Sequence, residues 1–351
     1  MRYLKVQSQY YCGIDLHSKT MYVCVMDIQG NILFHRNMRN DFTIFNNFVK
    51  TFLPDMVVGV ESSCYYYWLA DACVQAGIPF YLGHAYYMKA VHGGKVKNDR
   101  IDSKKIADLL RGNLFPLAYP YPKAMRSTRD LLRRRIYFVR RRAGAYSHLE
   151  MLCAQHGIID LEARLSKNKS ARQGLLKLFD DPDIKLMITT DLNFLESLDP
   201  LIRDLERHII KQAKHHNQHD YLLLRTIPGI GEILALIILY ETHDITRFAT
   251  VQRYSSYCGV VKCERSSNGK PVGAKNNKIR NAYLKWAFGE AILKAQAEPK
   301  IGKLYERLKS KYGLGRAKSI IAHRFAVTAY FMLKNKQTFD VDKFVQTSKY
   351  N

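Results

Sequence analysis

Short apolar runs separated by turn-forming residues occupy residues 10–91. Runs of this length, rich in Val, Ile and aromatic residues, are typical of β-strands. The predicted strands are Tyr10–His17, Met21–Asp27, Ile32–Arg39, Met56–Val60 and Pro79–Leu82. Phenylalanines at helical spacing predict a helix over Phe42–Phe52, and a second helix is predicted over Tyr65–Ala76. The order β-β-β-α-β-α-β predicts an α/β domain with a mixed sheet and helices packed on it.

Helical periodicity dominates the rest of the chain. A helix is predicted over Asp99–Leu110, and the prolines that follow it, the last at Pro122, mark a boundary. A strongly basic helical stretch covers 123–165, and apolar residues spaced by three and four predict helix again over 183–216. Pro200 either interrupts that second helix or opens a new one at its first turn, and both cases allow a helical hairpin or an oligomerisation arm. We therefore predict three domains, at 1–122, 123–216 and 217–351, the last mostly α-helical.

The charge of the chain points to a polyanionic partner. The 351 residues carry 55 Lys and Arg against 31 Asp and Glu, a formal net charge of +24. This excess favours DNA, RNA or an anionic membrane over an acidic small molecule, and a hydrophobic fraction of 47% argues against disorder. No apolar run approaches the length of a membrane span, and the N-terminus lacks the apolar core of a signal peptide. We therefore expect a cytoplasmic protein with no membrane partner, associated with the nucleoid when it is bound to DNA.

Four carboxylates are the first candidate for chemistry. Asp15 and Glu61 end predicted strands, whereas Asp99 and Asp102 lie three residues apart at the start of a predicted helix and share one of its faces. Four acidic side chains that meet in one place need a cation between them, and ligands that are all oxygen suit Mg²⁺ or Mn²⁺. Two such ions about 4 Å apart can clamp the attacking and leaving oxygens of a phosphodiester. The plainer alternative is four unrelated surface acids.

Basic residues form the second candidate group. The helical stretch carries two arginine triplets seven residues apart, a spacing of about two turns that stacks them along the helix. Their members are Arg133, Arg134, Arg135, Arg140, Arg141 and Arg142. Such a stripe can track nucleic-acid phosphates, whereas the alternative is a solvated helix face.

Two glycine-containing segments complete the candidates. Lys270 and Lys275 belong to a loop rich in Gly, Ser, Asn and Lys, in which a serine is able to act as a nucleophile toward phosphorus; an ordinary basic turn is the alternative. Gly229 and Gly231 lie between two helical patterns, as in a helix-hairpin-helix element whose backbone N–H groups contact a DNA phosphate; a simple connecting turn explains them equally well.

Taken together, these segments resemble the DEDD transposases of bacterial insertion sequences, the family founded by insertion sequence 110, with its 1111 subgroup and the Piv invertases as relatives. The resemblance covers nearly the whole chain, and seven motifs occur in the order typical of the family. They are GID at 13–15, VGVES at 58–62, KNDRIDSKKIADLL at 97–110, LLRRRIYFVRRRA at 131–143, RTIPGIGEILA at 225–235, YCGVVKCERSSNGK at 257–270 and NAYLKWAFGEA at 281–291.

The resemblance implies an N-terminal RuvC-like domain of RNase H fold with the acidic tetrad at Asp15, Glu61, Asp99 and Asp102. It also implies a C-terminal transposase domain whose serine nucleophile falls on Ser267. The family usually has a glutamate before this serine, where the chain has Ser266, so Ser266 is a minor candidate.

The same resemblance implies partners and a reaction. A serine attacks a phosphate of donor or target DNA and forms a phosphoserine, and strand exchange then rejoins the ends. A structured non-coding bridge RNA guides the enzyme by base pairing. The expected assembly is a homo-oligomer, a dimer or tetramer, in which the acidic site of one subunit faces the serine of another.

Two other classes of function fit the same residues. A metal-dependent, structure-specific nuclease of the Holliday-junction-resolvase type would use the carboxylates with water as its nucleophile, and it would form no protein–DNA adduct. A nucleic-acid-binding protein without enzymatic activity would rest on the charge alone.

Overall fold

The computed structural model describes residues 3–91, 98–158, 172, 174–213, 217–261, 266–268, 270–271 and 279–346. Contacts divide the chain into two compact units, Met1–Lys123 and Ala124–Asn351. Within the described ranges, no helix combines the length and the apolar character that crossing a membrane requires.

The first unit is built on a five-stranded mixed sheet of order β3-β2-β1-β4-β5. Its strands are β1 (Tyr10–Leu16), β2 (Thr20–Asp27), β3 (Ile32–Arg39), β4 (Met56–Glu61) and β5 (Phe80–Gly83). The first three strands pair antiparallel, whereas β4 pairs parallel with both β1 and β5. The predicted mixed α/β sheet is therefore confirmed.

Helices cover both faces of this sheet. They are α1 (Phe42–Val49), α2 (Tyr67–Gln75), α3 (Ala85–Val91) and α4 (Asp99–Arg111). Side chains alternate between the faces along each strand, so Ile14 and Val60 pack in the core beside α1 and α2. Tyr11 and Val57 face the other way, into a second core that α4 contributes to. The odd-numbered positions of β1 and β4 therefore face α4.

The second unit is helical apart from one short hairpin in its described part. It begins with a hairpin of two long helices, α5 (Lys123–Gln155) and α6 (Pro182–Ala213). Shorter helices follow, and they are α7 (Gln218–Arg225), α8 (Glu232–Thr242), α9 (Val251–Cys258), α10 (Ala282–Ala295), α11 (Pro299–Tyr312), α12 (Leu314–Asn335) and α13 (Val341–Gln346). Two-residue strands β6 (Ser266–Ser267) and β7 (Lys270–Pro271) lie between α9 and α10.

The α5–α6 hairpin is antiparallel and is held by ion pairs at regular intervals. Arg135 pairs with Glu206 at 2.6 Å, and further along α5 Arg142 pairs with Asp199 at 3.1 Å. Apolar residues of both helices form a core of their own beyond these pairs. Pro200 was expected either to interrupt this helix or to open a new one at its first turn. Neither expectation is met, because α6 runs through Pro200 as one helix.

Candidate active site

The strand register places two of the predicted carboxylates at the same edge of the sheet. Ile14 of β1 pairs with Val60 of the parallel strand β4, and Asp15 and Glu61 each come one residue later. Because side chains alternate along a strand, Asp15 and Glu61 both lie on the face that α4 covers. Asp15 is partly buried, with 18% of its side chain exposed, whereas Glu61 is exposed.

A glycine lets α4 approach this edge. A Cβ atom added to Gly13 would lie 2.3 Å from the carbonyl oxygen of Ser103 and 2.4 Å from the backbone nitrogen of Ala107. Such distances are far below van der Waals contact, so only glycine permits this packing of α4 on β1. Asn98 starts the helix, since its side chain accepts a hydrogen bond from the N–H of Ile101 at 2.8 Å. The first turn of α4, which carries Asp99 and Asp102, is thereby held over the end of β1.

Asp15, His17 and Asp99 form a compact group. Each offers one ligand atom, and these atoms all lie within 4.8 Å of one another. His17 Nε2 is 3.3 Å from a carboxylate oxygen of Asp15 and 3.4 Å from one of Asp99. His17 is not among the site residues predicted from the sequence. The signal was available, because His17 lies two residues after Asp15 and so falls on the same face of the chain as it leaves β1.

Asp102 lies close enough to act on Asp15 electrostatically. Burial raises the pKa of the Asp15 carboxyl, the nearby His17 lowers it, and the negative charges of Asp99 and Asp102 raise it further. Asp102 itself is 3.3 Å from the ammonium group of Lys105. Asp102 and Glu61 both lie outside the group of ligand atoms formed by Asp15, His17 and Asp99. The structure therefore brings Asp15 and Asp99 together, with Asp102 beside them and Glu61 at the same sheet edge.

This donor set fits a divalent cation. Carboxylate oxygens are the ligands that Mg²⁺ and Mn²⁺ prefer, and an imidazole nitrogen is more readily accepted by Mn²⁺ than by Mg²⁺. Burial is the largest cause of the raised pKa of Asp15, and the negative charges of Asp99 and Asp102 add to it. A cation at this site would offset the cost of burying the carboxylate and would remove the repulsion. Asp15 and Asp99 are the described residues best placed to hold a metal ion, with His17 within reach.

The predicted serines lie on the short hairpin of the second unit. Ser266 pairs with Pro271 and Ser267 pairs with Lys270, and Asn268 turns the chain with a φ of 51°. The structure describes the backbone of these two strands and not their side chains. Lys275 lies outside the described residues.

The six arginines of the predicted stripe fall into three pairs, because residues seven apart share a helix face and adjacent residues do not. Arg135 and Arg142 form the ion pairs with α6 described above. Arg133 bonds to Glu241 of α8, and both Arg133 and Arg140 lie over the ring of Tyr283, at 4.4 and 6.0 Å.

The third pair is exposed. Arg134 and Arg141 lie 6.0 and 5.1 Å from the ring of Tyr137, which is itself 45% exposed. The expectation that all six arginines form one stripe is thus wrong in geometry, since consecutive residues are about 100° apart around a helix. The outward face of α5 retains two arginines that flank an exposed aromatic ring.

The two hairpin glycines differ in their surroundings. Gly229 has a φ of 85°, and a Cβ there would lie 2.1 Å from the carbonyl oxygen of Ala291. The close packing of Gly229 on α10 accounts for this glycine without a DNA phosphate. Gly231 is exposed and forms the N-cap of α8 with open space around its Cα.

Two family models match the chain. A model of DEDD transposases of the IS110 type matches residues 12–156, which include Asp15, Glu61, Asp99 and Asp102. A second model, described as the transposase IS116/IS110/IS902 family, matches residues 221–306. The chain therefore contains the two transposase regions of one family, in order.

Similar proteins agree with this result. The transposase for insertion sequence element IS1111A of Coxiella burnetii is 22% identical over 346 residues, which cover 93% of this chain and 90% of that protein. The IS117 mini-circle transposase of Streptomyces coelicolor is 30% identical over 144 residues, covering 39% of this chain and 33% of that protein. The protein is a DEDD transposase, an enzyme that cuts and rejoins DNA. It belongs to the IS110 family, as the resemblance in sequence implied, and this family membership indicates DNA substrates and a divalent metal requirement.

Proposed function

We propose that the chain is an RNA-guided recombinase of an insertion sequence, which cuts and rejoins donor and target DNA through a phosphoserine on Ser267. The observation that carries the proposal is the meeting of Asp15 and Asp99 at one edge of the sheet, with Asp102 and Glu61 on the same side. We assign the first unit to the RNase H fold with a RuvC-like site. The strand order β3-β2-β1-β4-β5, with three antiparallel strands followed by two parallel ones, supports this assignment.

The proposed reaction conserves the energy of the phosphodiester bond. The hydroxyl oxygen of Ser267 forms a bond to phosphorus and gives up its proton, while the bond from phosphorus to a sugar oxygen breaks and that oxygen leaves as a hydroxyl with a proton. Rejoining reverses these steps with the sugar hydroxyl of another strand. A divalent ion, Mg²⁺ or Mn²⁺, would be held by the acidic tetrad and would neutralise charge on the phosphate oxygens.

The acidic residues keep defined roles in this proposal. Asp15 and Asp99 would provide the main ligands, and Asp102 and Glu61 would complete the tetrad. We place the serine of one subunit opposite the acidic site of another in a dimer or tetramer, following the resemblance to the family.

Nucleic acid would be held by the outward face of α5. Arg134 and Arg141 offer two positive charges that form no ion pair with a carboxylate of the described residues, and Tyr137 between them offers a ring for stacking. We expect the bridge RNA and the DNA strands to bind this face of α5, and we propose Lys270, Lys275 and the exposed N-terminus of α8 at Gly231 as further contacts. The net charge of +24 supports a polyanionic partner.

The experiment that tests the mechanism is the capture of a protein–DNA adduct. A plasmid that carries the reading frame with its native flanking DNA would be expressed, and denatured protein would be examined for attached nucleotides by mass spectrometry. We expect the modification on Ser267, its loss in Ser267→Ala and its retention in the adjacent control Ser266→Ala. Strand cleavage that persists in Ser267→Ala without an adduct would instead identify a nuclease that uses water.

RNA guidance has a separate test. RNA that copurifies with the chain would be sequenced and compared with the flanking DNA. A structured transcript of the flanking region supports guidance, and protein that recombines DNA after complete RNA removal contradicts it.

A further inference from the structure

The loop that carries Ser267 is tied together at its base. The chain leaves α9 at Cys258 and enters α10 at Ala282. The N–H of Asn281 donates a 2.8 Å hydrogen bond to the carbonyl oxygen of Tyr257, so the two ends of the loop meet. Gly259 turns the chain at the exit of α9 with a φ of 67°, and a Cβ there would lie 2.5 Å from Cδ of Arg280. The loop therefore starts and ends at one closely packed point.

Asn281 connects this base to the interior of the helical unit. Its side-chain oxygen caps α10 by accepting from the N–H groups of Tyr283 and Leu284, at 3.0 and 3.1 Å. Its amide nitrogen donates to a carboxylate oxygen of Glu241 at 2.7 Å and to the hydroxyl of Tyr257 at 3.2 Å. Asn281 thus uses one side-chain atom to start a helix and the other to hold the loop base.

Glu241 receives this bond in a buried charged network. Only 2% of its side chain is exposed, and its carboxylate accepts hydrogen bonds from Arg129 at 2.9 and 3.1 Å and from Arg133 at 2.6 and 3.0 Å. Burial alone would raise the pKa of Glu241, but the hydrogen bond from Arg133 and the charges of both arginines hold it below its usual value. The carboxylate is therefore anionic at neutral pH, and its acceptor positions point to α5 on one side and to Asn281 on the other.

Packing three helices around a buried charged network costs free energy. The desolvation of buried ions is costly, and apolar residues of similar volume often stabilise a core equally well or better. What a satisfied polar network adds is a unique geometry, since each hydrogen bond has a preferred length and direction. Because this network lies at the base of the serine loop, its fixed geometry would determine where the loop begins and ends.

We propose that Glu241, Tyr257 and Asn281 are positioning residues for the loop of Ser267. They fix the point from which the loop extends, and the two arginines of α5 anchor that point to the long helix whose outer face we assign to nucleic acid. The proposal rests on the proposed function, in which Ser267 is the nucleophile. It goes beyond that function by assigning the placement of Ser267 to two buried side chains, Glu241 and Asn281, and to the partly buried Tyr257.

The test is a substitution that keeps the helix cap and removes the link to the network. Asn281→Ser retains a capping hydroxyl and loses the amide donor to Glu241. The chain offers a matched control, since Asn217 also caps a helix, α7, and also donates from its amide to a buried carboxylate, that of Asp220 at 2.5 Å. Asn217→Ser therefore makes the same chemical change away from the serine loop.

Two measurements separate positioning from general stability. The first is the rate of adduct formation in the full-length chain with its flanking DNA, together with the affinity for that DNA. A displacement of about 1 Å at a reacting group can lower a rate by about a hundredfold, so we expect Asn281→Ser to lose between tenfold and a hundredfold in rate while its DNA affinity changes by less than twofold. The second is hydrogen exchange in the protein alone, which we expect to rise at the amide of Asn281 and to stay unchanged around Asn217.

The outcomes are distinguishable. An Asn281→Ser rate within twofold of the parent, or an equal loss in Asn217→Ser, would overturn the positioning role. Tyr257→Phe provides a second variant that removes one hydroxyl from the same base, and an unchanged rate there would also count against the proposal. If Ser267→Ala still forms the adduct, it is the proposed function that fails, whatever the two asparagine variants do.

Discussion

Replacing Gly13 by alanine should move Asp99 away from Asp15 without removing any acidic residue. The added Cβ would lie 2.3 Å from the Ser103 carbonyl oxygen, whereas ordinary contact begins at 3.4 Å. The obstructing atoms belong to the backbone of α4, so no side-chain rotation can relieve the clash. The helix must retreat from β1 by about 1 Å, since protein interiors have no spare volume to absorb the methyl group.

That movement carries Asp99 away from Asp15. Overpacking of this kind costs about 1–3 kcal/mol of stability. Changes in the residues that support metal ligands typically lower metal affinity by about tenfold to a hundredfold, and we expect Gly13→Ala to fall in that range. Isothermal titration calorimetry with Mn²⁺ measures the affinity, and the adduct assay measures the loss of cleavage.

Gly59→Ala is the matched control. Gly59 lies on the same face of the neighbouring strand and contacts the same helix, but its added Cβ would meet the end of the Leu110 side chain at 2.8 Å. A flexible side chain can move aside, and Leu110 is at the opposite end of α4 from Asp99. Equal losses of Mn²⁺ affinity in both variants, or an unchanged affinity in Gly13→Ala, would refute the argument that close backbone approach builds the site.

Three further predictions concern charged residues. Asp99→Asn should lower Mn²⁺ affinity at least about tenfold in the same titration, whereas Asp108→Asn on the same helix should not; equal effects would mean that the helix charge, not the cluster, attracts the ion. Arg134→Ala should reduce the slope of log affinity against log salt for labelled duplex DNA by about 1 without lowering the unfolding temperature. Arg135→Ala, which removes an ion pair to α6, should instead lower the unfolding temperature. The reverse pattern would contradict the assignment of the α5 faces. Glu241→Gln should cost about 3–5 kcal/mol in urea unfolding at neutral pH because it leaves the buried Arg129 and the partly buried Arg133 without their counter-charge. The folded-state pKa of Glu241 is lowered from 4.5, so the carboxylate stabilises the fold above pH 4.5, and this stabilisation is lost as the pH falls through the lowered pKa. Glu241→Gln should therefore lose less stability than the parent between pH 4.5 and that lowered pKa. An equal loss of stability in the two proteins would contradict this linkage.

The sequence predicted the mixed sheet and the carboxylates at its edge because both depend on local patterns. Strand ends follow from apolar runs, and the spacing of Asp99 and Asp102 follows from helix geometry. The role of Gly13 could not be predicted, since it depends on how closely α4 approaches β1, a distance set by both partners. The spacing of His17 from Asp15 is visible in the sequence, but the closeness of His17 to Asp99 depends on the fold and could not be predicted.

The arginines of α5 show a different limit. Their spacing is visible in the sequence, but it does not reveal which faces of the helix other helices cover. Arg135 is neutralised by Glu206 of α6, and Arg133 by Glu241 of α8, both more than seventy residues away in the chain. The sequence therefore does not show which of these arginines form ion pairs within the fold, and their binding to nucleic acid stays a prediction.

The seven-residue spacing of the α5–α6 ion pairs has a consequence for how this arm can change in length. A single inserted residue turns everything beyond it by about 100°, and Arg142 would then miss Asp199 altogether. An insertion of seven residues in each helix restores the facing pairs and adds about 10 Å of reach. The arms of relatives should therefore differ in length by multiples of seven residues per helix. The arm then changes in steps of about 10 Å, while the pairing between its two helices stays the same.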